Sequence, residues 1–168
     1  MRSLNLDNLS ATVPHPQVVS SMLPFLGGKK FGNPSSPHHL GEEPRRAVET
    51  ARERMAGLLS ALPEEILFTA SGSESNNLAI KGILAGRDGR HIVTSAVEHM
   101  SVLHPIRTLS ELGYRVTFLQ VDGTGEVDPK DLRKSLKPDT ALVSICHAIG
   151  EVGTVQPIHE LASIAAER

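Results

Sequence analysis

The sequence holds a single cysteine, Cys146, in 168 residues, so an internal disulfide framework is excluded. Because it ends an apolar stretch, Cys146 is predicted to be a small buried hydrophobic residue and not a reactive thiolate. No apolar run approaches the roughly 20 residues that a membrane-spanning helix needs, and no N-terminal segment resembles a signal peptide. We therefore expect a cytoplasmic protein that does not cross a membrane.

Positive charge is not in excess either. The formal net charge is −2 and no run of lysine or arginine forms a basic stripe, so nucleic acid is not an expected partner. The adjacent His38 and His39 have no cysteine or paired carboxylate at ligand spacing, so we expect no metal site. What the chain does have is 39% hydrophobic residues, which is ordinary for a globular domain with one core.

Short runs rich in β-branched residues alternate with helical patterns along the chain. The runs predicted as strands are Glu65–Thr69, His91–Ser95, Arg115–Val121 and Thr140–Cys146. Helices are predicted around 47–59, 74–84 and 101–112, and from Pro129 and Pro157 onward, with Asp128 as an N-cap and Gly113 as a left-handed cap. This alternation predicts an α/β fold with a mainly parallel sheet flanked by helices.

The first 45 residues have a different composition. Six prolines between Pro14 and Pro44 interrupt them, and the stretch from Gly32 to Pro37 is rich in turn-forming residues. We therefore expect an irregular N-terminal arm and loop over residues 1–45 and the α/β domain over residues 46–168.

Small residues, Ser71-Gly72-Ser73, stand where the first predicted strand meets a predicted helix. Free amides at a helix N-terminus, the helix dipole and serine hydroxyls, here including that of Ser75, favour binding of an anion such as a phosphate. The same residues also fit a capping box, with Ser71 as the N-cap and Glu74 three residues later. The spacing matches neither the Walker nor the dinucleotide glycine pattern, so both interpretations stay open.

Two further polar turns follow later strands. His99 comes just past the second predicted strand, where an imidazole could stack on a planar cofactor, transfer a proton or have only a structural role. The segment 147–154 follows the fourth predicted strand. Because the carboxyl ends of parallel strands share one edge of a sheet, the three turns together favour a ligand site at that edge.

Five stretches carry a resemblance to a known family. In chain order they are Leu6–Thr12 (LDNLSAT), Phe31–Gly41 (FGNPSSPHHLG), Phe68–Gly82 (FTASGSESNNLAIKG), Val97–Val102 (VEHMSV) and His147–Pro157 (HAIGEVGTVQP). Together they resemble the N-terminal half of a cysteine desulfurase of the NifS and IscS type, in the class V aminotransferase group of pyridoxal-phosphate enzymes. The resemblance spans nearly the whole chain, in the family's order.

The resemblance implies a fold, a cofactor and a reaction. The fold is part of an aspartate-aminotransferase-type large domain (PLP fold type I), in a homodimer that binds pyridoxal 5′-phosphate. The reaction takes sulfur from L-cysteine, or selenium from selenocysteine in close relatives, leaving alanine and a persulfide on an enzyme cysteine for iron–sulfur clusters or other products. The turn with Gly72 and Ser73 would bind the cofactor's phosphate, and His99 would stack on its ring as a catalytic residue.

The sequence departs from the family pattern in the first motif, at Leu9 and Ser10, and in two further respects that bear on activity. Two asparagines usually follow the His-Ala of the last motif, but Ile149 and Gly150 stand here and neither side chain donates a hydrogen bond. The family's cofactor-binding lysine, its aspartate on the ring nitrogen and its persulfide-forming cysteine come later than position 168. We therefore expect the chain alone to be inactive, as a fragment, a split protein or a truncated gene product.

An alternative is a non-catalytic remnant, or partner-binding module, that keeps the fold and a phosphate pocket. Compared with the family's sheet, this chain would leave an apolar strand edge open. We therefore expect a homo-oligomer, pairing with a complementary chain, a rearranged sheet or a longer protein.

Overall fold

A computed structural model describes residues 11–167 and divides the chain into two compact units, one ending at Phe68 and the other beginning at Thr69. Residues 6–10, which carry most of the first family motif, lie outside the described range. None of the helices within residues 11–167 is both long and apolar enough to span a membrane.

The first unit contains two helices, α1 (Pro16–Leu26) and α2 (His39–Leu59), and a short 3₁₀ helix at Pro63–Glu65. Helix α1 lies in the stretch that the sequence analysis predicted to be irregular, and that part of the prediction is wrong. Pro16 occupies the first turn, where a proline's missing amide hydrogen costs nothing, and the Nδ1 atom of His15 accepts from the Gln17 amide at 3.3 Å. Pro16 therefore begins this helix instead of excluding it.

The turn before α2 is held by its own polar groups. The Asn33 carbonyl accepts from the Ser36 amide at 2.9 Å, and the Asn33 side chain accepts from the Ser35 amide at 2.9 Å. The Arg45 side chain donates to the Pro34 carbonyl at 2.8 Å. Gly41, in the first turn of α2, is buried directly against this turn, so the second family motif folds as a compact helix entry.

The predicted strand Glu65–Thr69 is wrong. Glu65 ends the 3₁₀ helix, and Ile66 has extended backbone angles but pairs with no strand of the described sheet. A strand exists only where a neighbouring strand accepts and donates its backbone hydrogen bonds. The composition of this run is typical of a strand, but none of the described strands pairs with it.

The second unit is built on a three-stranded parallel sheet. Its strands are β1 (His91–Ser95), β2 (Arg115–Leu119) and β3 (Thr140–Ser144), in the order β2-β1-β3. The predicted strands over these residues are confirmed, although β2 and β3 each end two residues earlier than predicted. β1 is central, and all five of its residues are buried.

Four helices cover this sheet: α3 (Gly72–Ala85), α4 (Met100–Glu111), α5 (Pro129–Ser135) and α6 (Ile158–Ala166). Asp128 caps α5 by accepting from the Lys130 amide at 2.8 Å, and Gly113, just after α4, has a φ of +93°, as the sequence predicts for both positions. Alternate residues of β1 point to opposite faces of the sheet, so each face has its own core. One core contains Ile80, Leu84, Ile92, Val102, Ile106 and Leu109, and the other contains Val93, Leu119, Val127, Leu132, Leu161 and Ile164.

Candidate functional site

Helix α3 begins with the turn that the sequence predicts as an anion site. Ser71 is its N-cap, in extended conformation, and the Ser71 hydroxyl accepts from the Glu74 amide at 3.2 Å. The Glu74 carboxylate reaches back and accepts from the Ala70 amide at 2.6 Å. The cap that the sequence predicts is therefore present, with the carboxylate one residue further back than in a standard capping box.

This cap leaves part of the helix end open. The amides of Gly72 and Ser73 have no acceptor among the described residues, as is usual for the first turn of a helix. A Cβ added at Gly72 would meet no atom within 4 Å, so no described atom crowds the side of this residue at the helix end. The capping and anion-binding interpretations are thus compatible, because they use different groups of one turn.

The three serine hydroxyls do not all point to this open space. Ser71 is engaged in the cap, and the Ser75 hydroxyl is hydrogen-bonded to that of Thr69. The Ser73 hydroxyl is the one that the described contacts leave available. The donor set for an anion is therefore the amides of Gly72 and Ser73 with the Ser73 hydroxyl, which suits a phosphate at a helix N-terminus.

His99 lies at the carboxyl end of β1, as the sequence predicts, and is the N-cap of α4. Its Nδ1 atom accepts from the Ser101 amide at 3.1 Å and lies 2.7 Å from the Ser101 hydroxyl oxygen. These contacts fix the orientation of an imidazole that is otherwise exposed. A ring held in this way can present one face to a planar ligand.

A hydrogen-bonded connection joins the α3 turn to the His99 segment. The Asn76 side chain, one turn into α3, donates to the Ser101 hydroxyl at 2.8 Å, and Ser101 contacts His99. The start of α3 and the start of α4 are therefore side by side at one edge of the sheet. The sequence analysis assigned no role to Asn76 or Ser101, since only the packed helices show that they meet.

Glu98 also lies at this edge and is buried, with 7% of its surface exposed. Its Oε1 atom accepts from the Ser95 hydroxyl and from the Cys146 amide, each at 2.7 Å. Burial raises the pKa of this carboxyl above its ordinary value, while the hydrogen bonds from Ser95 and Cys146 oppose the rise. A charged residue directly before His99 in the VEHM motif was the only sequence signal for this role.

Cys146 is half-buried and not fully buried as predicted. It follows β3 where the chain turns toward the surface, and its thiol donates to the Ala148 carbonyl at 3.1 Å. That contact and the hydrogen bond from the Cys146 amide to Glu98 give Cys146 a structural role at the start of the last motif.

The last motif forms a tight hairpin. Ala148 and Val155 form an antiparallel bridge, and Gly153 has a φ of +79° at the turn. The Gln156 side chain is buried and accepts from the Val127 amide at 2.9 Å. Ile149, at a position where the family usually has asparagine, is 7% exposed and packs toward Gly125, so its side chain packs the hairpin against the turn that contains Gly125.

The three turns predicted to share an edge do so. The α3 turn is joined to His99 through Ser101, and the His99 segment is joined to the 146–156 segment through Glu98. This edge offers anion donors, an oriented imidazole and a buried carboxylate, which together suit a planar ligand that carries a phosphate.

A family model described as "Aminotransferase class-V" matches residues 4–168 of the chain. Among curated proteins, the chain is 50% identical to the cysteine desulfurase IscS of Dictyoglomus turgidum, over 99% of this chain and 42% of that protein. It is 45% identical to the cysteine desulfurase IscS of Methanosarcina thermophila, over 99% of this chain and 41% of that protein. The chain thus spans less than half the length of these relatives.

Solved structures show the same likeness. A structure described as a NifS-like protein superimposes with a TM-score of 0.90 and 36% identity, covering 95% of this chain and 44% of that one. A structure described as SspA in complex with cysteine has a TM-score of 0.91 and 36% identity, covering 98% of this chain and 48% of that one. The predicted fold class, part of an α/β domain with a parallel sheet flanked by helices, is confirmed.

Proposed function

The chain belongs to the class V aminotransferase family, with cysteine desulfurases as its curated relatives, and we propose that it forms the N-terminal part of such a desulfurase. The proposed protein takes sulfur from L-cysteine, or selenium from selenocysteine, and leaves alanine and an enzyme persulfide. The sulfur supplies iron–sulfur clusters or other products. The 168-residue chain alone is proposed to be inactive.

The observation that carries this proposal is the connection Asn76–Ser101–His99. It keeps the open amides of α3 and the exposed imidazole beside each other, which a ligand with both a phosphate and a flat ring requires. A helix end or a strand-end histidine alone would be ordinary structural features.

Pyridoxal 5′-phosphate suits these groups. Gly72 and Ser73 would hold its phosphate, where the helix dipole and amide donors favour negative charge. The imidazole of His99 would stack against one face of the cofactor's ring. Hydrogen bonds between His99 Nδ1 and Ser101 would hold the imidazole in that orientation. When bound, the cofactor supplies an electron sink for bond cleavage next to the substrate's amino group.

The assembly and location are part of the proposal. We place the protein in the cytoplasm, as a homo-oligomer or paired with a chain that completes the sheet. Exposed apolar side chains on α3, Leu78 at 48% and Ile83 at 43%, support a partner on that helix. Sedimentation of the native protein tests the assembly, and cell fractionation tests the location. The location needs this test because one relative is named a mitosomal cysteine desulfurase.

We expect the purified 168-residue chain to release no alanine from cysteine. We expect the native protein, purified from its own cells, to release alanine and sulfane sulfur in equal amounts. The physical reason is that Lys81, the one lysine within a motif, is exposed in the middle of α3 and not at its open end. Amino-acid analysis and sulfide release after reduction measure the two products. Turnover by the short chain would overturn its proposed inactivity, and an inactive native protein would overturn the desulfurase proposal.

A second expected result concerns the phosphate turn. Ser73→Trp should weaken binding of pyridoxine 5′-phosphate, a cofactor analogue that cannot react with lysine, by about tenfold, because the indole fills the space before the amides and removes a hydroxyl donor. Isothermal titration measures the dissociation constant. Ser163→Trp, at an exposed position of α6, is the matched control and should bind like the unchanged chain. Equal affinity of the two variants would refute the assignment of the turn.

A non-catalytic, partner-binding protein is the second candidate. The observation that favours it is Ile149, whose apolar side chain is buried in the hairpin where the family has a hydrogen-bonding residue. Such a protein would bind pyridoxine 5′-phosphate through the α3 turn and yet give no alanine in its native form.

A further inference from the structure

Glu98 is the one buried carboxylate in the described part of the chain, residues 11–167, with 7% of its surface exposed. Removing a carboxylate from water costs several kcal/mol unless other groups satisfy it. Both of its hydrogen bonds are short, at 2.7 Å, and both can be charge-assisted. The position of this side chain is therefore tightly constrained.

The two donors to Glu98 come from different strands. Ser95 is the last residue of β1, and Cys146 lies just beyond the end of β3 and leads into the hairpin of the last motif. One carboxylate oxygen thus joins the ends of two neighbouring strands at the candidate site. Since His99 is the next residue along the chain, any displacement of Glu98 moves the backbone that carries the imidazole.

The segment between Ser95 and Ser101 is also held from its other sides. The Ala96 amide donates to the Leu119 carbonyl of β2 at 2.9 Å, and Ser101 accepts from Asn76 of α3 at 2.8 Å. Glu98 supplies the remaining connection, toward β3. The His99 segment is therefore held by β2, by α3 and by the end of β3. Among these contacts, only that of Glu98 joins it to the segment that begins the last motif.

We propose that Glu98 is a positioning residue that fixes the imidazole of His99 relative to the Cys146–Ile149 segment at the ligand edge. This inference rests on the proposed function, since it gives Glu98 a role in holding the two segments that would flank the ligand. Glu98 itself need not contact the ligand, and it acts through His99 and Cys146.

The test uses the 168-residue chain and three substitutions. Glu98→Ala removes both acceptor bonds, and Glu98→Gln keeps an oxygen acceptor of similar shape. Glu111→Ala, the matched control, removes an exposed carboxylate at the far end of α4, the helix that follows Glu98. The readouts are the NMR signals of the His99 ring and the Cys146 amide, and the dissociation constant of pyridoxine 5′-phosphate.

We expect Glu98→Ala to shift or broaden both the His99 and the Cys146 signals and to weaken binding of the analogue by about tenfold, as for loss of hydrogen bonds to a charged group. Glu98→Gln should restore both readouts most of the way, and Glu111→Ala should change neither. Rescue by glutamine separates positioning from a general loss of stability. Unchanged His99 and Cys146 signals in a folded Glu98→Ala chain, or no rescue by glutamine, would overturn the proposal.

Two further outcomes are decisive. If Glu98→Ala does not fold, Ser95→Ala removes one of the two donors and keeps the carboxylate, and it must then shift the His99 signals for the proposal to stand. If the unchanged chain binds no pyridoxine 5′-phosphate, the proposed phosphate site fails, while the NMR signals still decide whether Glu98 couples the two segments.

Discussion

Replacing Gly41 with alanine is expected to lower the free energy of unfolding of the first unit by about 1–3 kcal/mol, the usual cost of forcing an extra carbon into a packed site. The added Cβ would overlap the Ser36 carbonyl oxygen and stand 2.7 Å from that of Asn33. Both are backbone atoms, and the Ser36 amide is itself bonded to the Asn33 carbonyl at 2.9 Å. The turn cannot move away without breaking its own hydrogen bonds.

Gly57→Ala is the matched control on the same helix. An added Cβ at Gly57 meets no atom within 4 Å, so alanine should raise stability by about 0.5–1 kcal/mol through its better helix propensity. Hydrogen exchange of peptides from α2 (His39–Leu59) measures both changes. Two effects of the same sign would contradict the packing of the second family motif against Gly41.

The local signals in the sequence were sufficient for most of the second unit. Each of the three observed strands is a short run of β-branched residues between turn-forming residues, and Asp128-Pro129 is a standard helix start. These signals concern nearest neighbours along the chain. They predict an element correctly when that element also finds its hydrogen-bonding and packing partners in the fold.

The predictions of secondary structure were wrong at a missing strand and at a missed helix. The run Glu65–Thr69 has the composition of a strand, but a strand also needs a partner, and composition does not show whether one exists. Helix α1 was missed because prolines were interpreted as breakers, although Pro16 stands at the first turn, where proline is favoured.

The site was predicted in the same partial way. The cap at Ser71 and the placement of His99 follow from local spacing. The contact of Asn76 with Ser101 and the burial of Glu98 do not, because each depends on how separate elements pack. The hydrogen bond between Thr69 and Ser75 depends on how the turn before α3 folds against the start of that helix. The assignment of Gly72, Ser73 and His99 to a cofactor stays a prediction that the binding measurements decide.

His91, which the sequence analysis left without a role, is expected to make the stability of the second unit depend on pH. It is fully buried at the start of the central strand, at the opposite end of β1 from the candidate site. Its Nδ1 atom lies 2.8 Å from the Thr140 hydroxyl of β3 and its Nε2 atom 2.8 Å from the Thr117 hydroxyl of β2. One imidazole therefore joins all three strands.

The hydroxyl partners favour a neutral ring. Thr140 already accepts from the Lys137 amide at 2.8 Å, so its own proton is available for Nδ1, and Nε2 can donate to Thr117. A second proton on the ring would leave the Thr140 hydroxyl proton without its acceptor and would bury a charge. Burial first, and then the positive charges of Lys137 and Arg115, lower the pKa of His91 below 6.5, while Asp139 opposes the shift.

The sign of the effect follows from proton counting. Below pH 6.5 the unfolded chain binds a proton at His91 that the folded chain does not. The contribution of this residue to stability is therefore complete above pH 6.5 and is lost as the pH falls through the lower pKa of the folded state. Glu98 contributes with the opposite sign, because burial raises its pKa, so the two residues must be separated by comparison of variants.

Denaturant unfolding across a pH series should show this loss in the unchanged chain and not in His91→Gln, whose amide is neutral and can contact both threonines. The difference between the two proteins isolates His91, since Glu98 is common to both. His91→Ala should cost about 3 kcal/mol at neutral pH, from the lost packing and from two half-buried threonine hydroxyls, Thr117 and Thr140, that each lose their hydrogen bond to the ring. His159→Gln, at an exposed histidine of α6, controls for loss of an imidazole. Parallel pH curves for the unchanged chain and His91→Gln would show that the buried ring does not set the acid sensitivity of the sheet.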